Sequence, residues 1–176
     1  MIIVKEPENK GASFAPPSAG THVAVCFGVW DIGMQTGYEG KVQHKVVVAW
    51  ELDQRIENPE SEYNGKRFVQ SKRYTMSLHE KSSLRKDLES WRGRAFTAEE
   101  LQGFDLEKLI GACCLMSIVH AEKDGKTYAN LSAIMALPKG TEKLAVETPP
   151  DAPEWVRKLQ SNKIPNIQFS DEAVQF

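Results

Sequence analysis

Gly65-Lys66-Arg67-Phe68-Val69-Gln70-Ser71-Lys72-Arg73-Tyr74-Thr75-Met76 runs straight into Ser77-Leu78-His79-Glu80 and on to Gly93. It is a basic strand followed at once by a helix start. Between Asn64 and Arg94 nine side chains are basic and three acidic, with aromatic rings set among them. Ser77 and Glu80 stand at capping-box spacing, where hydroxyl and carboxylate satisfy each other's backbone donors. That spacing predicts a helix from there to about Arg92, stopped by Gly93. Leu84, Leu88 and Trp91 fall at i, i+4 and i+7, the spacing of a buried stripe.

Two more strands precede this unit. Thr21 to Ile32 is apolar and β-branched, and Gly28 inside it predicts a bend or bulge. Gly33, Gly37 and Gly40 frame a loop bearing Tyr38. Lys41 to Leu52 alternates, with Val42, His44, Val46, Val48 and Trp50 on the face expected to meet the core. Val47 and Ala49 on the other face leave open a strand covered from both sides. Residues 53–64 are acidic and turn-like.

Downstream, Thr97-Ala98-Glu99-Glu100 repeats the capping signal for a short turn ending near Gly103, and Asp105 to Gly111 predicts one more turn. Cys113 to Glu122 and Lys126 to Leu137 are two strands joined through Asp124-Gly125, a strong hairpin signal. After Gly140 the chain turns polar and proline-rich, with a short amphipathic helix from Glu154 to Gln160. The expected division is an N-terminal arm over 1–19, a folded domain over 20–140, and a linker, short helix and acidic tail over 141–176.

Bulk properties exclude several classes. A chain of 176 residues with 41% hydrophobic and 26% charged residues has the make-up of an ordinary globular protein. No run approaches the roughly 18 apolar residues of a membrane span, so no membrane partner is expected. The opening Met1-Ile2-Ile3-Val4 is too short for a signal peptide. Cys26, Cys113 and Cys114 form no even disulfide framework, which suggests a reducing cytoplasm. The formal net charge of −2 hides a basic middle between acidic flanks, and local fields rather than totals steer ligands.

Three strands, helical material and a closing hairpin give the order of a mainly β, five-stranded OB-fold Greek-key barrel, with its helical insertion between strands three and four. Oligonucleotides bind such barrels on strands two and three and on the loops joining strands one to two and four to five. Those elements hold Lys41, Lys45, Lys66, Arg67, Phe68, Lys72, Arg73 and Tyr74, with Tyr38 in one loop and Lys126 and Tyr128 beside the other. Trp30, where the first strand enters its loop, reads equally as a stacking ring or as packing. Phe68 reads as core or site, and Tyr38 and Tyr128 as platforms or ordinary surface tyrosines. Strand alternation puts Lys66, Phe68, Lys72 and Tyr74 on one face and Arg67 and Arg73 on the other. Trp50 and Trp91 are expected in the core. Cations with exposed rings point to single-stranded nucleic acid, because stacking needs a free π-face.

Several segments resemble a family of small phage and prophage proteins: Pro17-Ser18-Ala19-Gly20-Thr21-His22, Ser71-Lys72-Arg73-Tyr74-Thr75, the run from Leu78 to Gly93, Gly103-Phe104-Asp105-Leu106, Gly125-Lys126-Thr127-Tyr128-Ala129-Asn130 and Leu137-Pro138-Lys139-Gly140. The resemblance spans roughly residues 16–140. It implies a single-stranded DNA-binding OB protein of phage replication or recombination, acting in the host cytoplasm. The terminus, with Asp171, Glu172 and Phe176, is similar to the tails by which replicative single-strand binders dock replication or recombination proteins. Pairing of such modules raises avidity, so a homodimer stays open.

Other chemistries find less support. Cys113 and Cys114, adjacent on a strand, point to opposite faces, and there is no C-x-x-C, so no metal or other cofactor is expected. No G-x-S-x-G, Walker A or H-E-x-x-H motif is present, and no catalytic residues are assigned. The second function considered is an OB-fold adaptor of a phage replication complex that binds protein and not DNA.

Overall fold

Five strands form where the alternation places them: β1 Gly20–Thr36, β2 Val42–Arg55, β3 Arg67–Thr75, β4 Cys113–Lys123 and β5 Lys126–Met135. They belong to a computed structural model that describes residues 15–165. The strands make one antiparallel sheet in the order β3-β2-β1-β4-β5. Helix α1, Ser83–Arg92, lies between β3 and β4, and helix α2, Glu154–Ser161, follows β5. Among the described residues no helix is long and apolar enough to cross a membrane.

The expected bend in β1 is present. Its register against β2 slips between Cys26 and Gly28, and again between Asp31 and Gly33. At the β4–β5 turn Asp124 and Gly125 both hold left-handed backbone (φ 52° and 74°), the conformation a tight hairpin of this twist demands.

The main core fills the space between the inner face of the sheet and α1. Val46, Val48, Trp50 and Leu52 of β2 meet Leu84, Leu88 and Trp91 of α1, with Ala24, Cys26, Cys114, Met116 and Ile134 around them. The rings of Trp50 and Trp91 lie 5.8 Å apart, and the Trp91 indole donates to the Cys113 carbonyl. Burial pushes the Cys26 thiol up to about 12, which removes the thiolate on which cysteine reactivity depends.

The helix starts later than the Ser77–Glu80 spacing predicts. Ser82 is the cap, its hydroxyl accepting from the Arg85 N–H at 3.2 Å. Ser77 instead closes a small turn by accepting from His79 N–H. Gly93 ends α1 in left-handed backbone, φ 68°. The second capping signal is a true reciprocal box: Thr97 N–H donates to Glu100, and Glu100 N–H to the Thr97 hydroxyl. The Thr97 backbone donor, reinforced by Arg92 and Arg94, holds the Glu100 carboxyl down at about 2.

The sheet stays open, where a closed barrel was expected. Strands β3 and β5 are its two edges and share no ladder; a Gln70 amide reaching the Ala129 carbonyl at 3.5 Å links them. Helix α1 bridges the gap. Its Asp87 takes bonds from Lys72 and Tyr74 of β3, and its Ser90 donates to the Ile134 carbonyl of β5.

The outer face is covered as well, because the chain beyond Gly140 is not a loose linker. The stretch 141–153, here called the strap, runs over the sheet and delivers α2, where Val156 packs on Ile32 and Val47 with Trp30 and Leu159 beside them. Beyond α2, Ile164 pairs with Met34. The strap is latched by Glu51, a carboxylate at 0% exposure in the middle of β2. Glu51 accepts from the backbone N–H groups of Glu147 and Thr148 and from Arg67 at 3.0 Å. A buried charge persists only when paired and hydrogen-bonded, and these three donors meet that need. The folded unit therefore runs past the boundary expected at residue 140.

Candidate nucleic-acid interface

Alternation along β3 sorts its basic residues onto two sides. Opposite the core positions Val46, Val48 and Trp50 of β2 stand Tyr74, Lys72 and Gln70. Opposite Lys45, Val47, Ala49 and Glu51 on the outer side stand Thr75, Arg73, Ser71 and Val69.

The inner set is structural. Tyr74, at 2% exposure, donates its hydroxyl to Asp87 at 2.7 Å, and burial together with that carboxylate raises its pKa. Lys72 pairs with the same carboxylate at 2.6 Å and lies over the Tyr74 ring. Phe68 packs against the core. The expectation that Tyr74 offers a stacking face, and that Lys72 is free for phosphate, is corrected, while of the two readings of Phe68 the core one is seen. Core packing takes the two rings, and Asp87 on α1 takes the ammonium.

Arg67 is corrected too. Its side chain is 11% exposed and pairs with Glu51 and Glu147, while also donating to the Ala145 carbonyl. Trp30 packs edge-on against Phe27 and lies against Gly28, where an added Cβ would collide with its indole. This close approach is why β1 carries a glycine there. Gly28→Ala is expected to cost about 1–3 kcal/mol by overpacking, seen as a lower urea midpoint together with a red shift of tryptophan emission.

An exposed strip remains. Arg73 is exposed and in no ion pair among the described residues. Lys45 lies diagonally across the β2–β3 ladder from it and donates to the Thr75 hydroxyl at 3.3 Å. The β1–β2 loop adds exposed Lys41 and Tyr38, the latter 87% exposed on a turn whose Glu39 and Gly40 hold positive φ. These four are brought together by the sheet and the loop that continues it. Lys126 and Tyr128 are exposed but stand apart. Gly20, the first residue of β1, pairs with Ile118, so residues 119–128 project past that end, whereas the Tyr38 loop follows the opposite end at Thr36.

Lys66 is exposed, its ammonium 5.0 Å from the centre of the Tyr63 ring. Both border a pocket of about 510 Å³ on the outer face, walled by Ile56, Val69, Glu147, Thr148 and Pro149 over Glu51 and Arg67. Arg55 forks onto Glu147 with bonds of 3.0 and 2.7 Å, and that pairing holds the Glu147 carboxyl below the usual carboxylate range. Neither Tyr63 nor the strap side of this pocket was expected. The available signal was Glu51 itself: a charge inside the apolar run Val46–Leu52 requires a partner from elsewhere. Asp171, Glu172 and Phe176 lie outside the described residues.

No family model matches this sequence, and no curated protein matches it.

Proposed function

We propose that this chain is an OB-type module that binds single-stranded DNA with little sequence preference, in the setting of phage replication or recombination that its sequence resemblance implies. One observation carries the reading: among the described residues, the outer β2–β3 face carries Arg73 and Lys45 as diagonal neighbours, continued by Lys41 and an exposed Tyr38. Two further features support it. The neighbour order 3-2-1-4-5, taken with the approach of β3 to β5 at Gln70, matches the circular order of an OB barrel with one seam bridged by a helix. Cations beside a solvent-facing ring are the parts list for holding a flexible polyanion by its backbone and stacking one of its bases.

The binding would be driven by counterion release, with stacking added. If about four phosphates are neutralised on a single strand, log K should fall against log salt with a slope of about −3. Anisotropy titrations of labelled oligo-dT at several salt concentrations test this. A steep slope with similar affinities for dT and mixed-sequence strands is the expected result. A flat titration at low salt overturns the reading.

The adaptor reading keeps one supporting observation. Val119, Ala121 and Tyr128 lie together on one exposed side of the β4–β5 hairpin, an apolar patch of the kind that protein contacts use.

A further inference from the structure

We infer that Thr75 is a positioning residue for backbone binding, its hydroxyl setting Lys45 and the Gln43 amide as one preformed clamp on a phosphate of the strand; this rests on the single-strand reading above. Gln43 and Lys45 of β2 and Arg73 and Thr75 of β3 share the outer side of the sheet. The Lys45 ammonium donates to the Thr75 hydroxyl at 3.3 Å, and that hydroxyl donates to Gln43 Oε1 at 3.1 Å. An ammonium only donates, so the Thr75 oxygen accepts on that side and gives its single proton to Gln43. The amide oxygen is thereby occupied. The amide nitrogen, which makes no hydrogen bond among the described residues, is left as a donor on the same side of the sheet as the ammonium.

Charge and order favour a phosphate here. Phosphate oxygens accept only, and with Gln43 Oε1 taken by Thr75 the two side chains offer donors to them. Within residues 37–49 and 71–76 the one carboxylate is Glu39, against Lys41, Lys45 and Arg73 on the proposed strip. Lys45, Gln43 and Thr75 are all half-buried, and the Thr75 hydroxyl tethers both long side chains, so part of their rotamer freedom is already lost in the free protein. The β1–β2 loop closes onto the same group. A Cβ added at Gly37 would stand 3.3 Å from Gln43 Oε1 and 3.6 Å from Lys45 Nζ. Gly37 immediately precedes the exposed Tyr38, so the clamp and the ring are held in one register.

The test titrates two probes of equal length, oligo-dT and an abasic deoxyribose-phosphate oligomer, at several salt concentrations. Thr75→Val, close in shape but without the hydroxyl, is expected to weaken both probes alike by roughly 5- to 30-fold, the cost of ordering two long side chains only when the strand arrives. Its salt slope should keep the wild-type value, because no charge is removed, whereas Lys45→Ala should flatten the slope by about 0.7. Thr75→Ser returns the hydroxyl and should restore affinity. Should Thr75→Val lower the urea midpoint, Gln43→Met, which keeps Thr75 and removes the amide, carries the same comparison. If wild type binds oligo-dT while these variants bind as tightly, flatten the slope, or weaken oligo-dT alone, the clamp is overturned and the single-strand reading stands. If wild type binds no oligo-dT at low salt, both are overturned.

Discussion

Glu51→Ala is expected to lower the unfolding free energy by about 3–5 kcal/mol, the usual cost of removing one partner from a buried charge pair. The carboxylate is wholly buried, and Arg67, itself almost enclosed, depends on it. Two backbone N–H groups of the strap would lose their acceptor at the same time. Arg67 keeps Glu147 and the Ala145 carbonyl as alternatives, but both sit on the strap that Glu51 holds down. The loss should therefore appear twice, as a lower urea midpoint and as faster proteolytic cleavage near Lys143. Arg55→Ala is the contrast, because its pairing with Glu147 is half exposed and exposed pairs contribute little. A Glu51→Ala protein as stable and as protease-resistant as wild type would show that the latch does not hold the strap.

Joint replacement of Lys45 and Arg73 by Glu should reduce oligonucleotide affinity by about two orders of magnitude at low salt and flatten the salt slope by roughly 1.4, since two phosphate contacts are lost. The folded state should survive, because Arg73 is exposed and Lys45 makes a single long hydrogen bond, to the Thr75 hydroxyl. Lys72→Ala provides the counter-experiment. Its ammonium belongs to Asp87, so that variant should alter stability and leave affinity nearly untouched. Were Lys72→Ala to abolish binding while the double charge reversal did nothing, the strand would have to lie on the other side of β3.

The sequence announces those features whose causes are local. The apolar β-branched run of β2, the glycine inside β1 and the Asp124-Gly125 turn each fix a strand or a bend within a few residues. Leu84, Leu88 and Trp91 mark the buried stripe of α1 by spacing alone. The start of α1 was harder, since both Ser77 and Ser82 can cap a helix, and only packing of the following turns decides between them. Which basic side chains are engaged within the fold was hidden for a related reason. Lys72 and Arg73 are chemically alike, and what separates them is Asp87, fifteen residues away from Lys72 on another element. The strap was hidden because its residues are polar and proline-rich; what it contributes to Glu51 is main-chain N–H, which every sequence supplies.

The latch also decides where this molecule can be cut. A fragment ended after Gly140 would contain all five strands and look like a minimal unit, yet it would uncover Ile32 and Val47 and leave Glu51 with Arg67 alone of its three donors. Such a piece should clump and not dissolve as a lone working sheet, so any shortened version needs to retain the chain through Ile164.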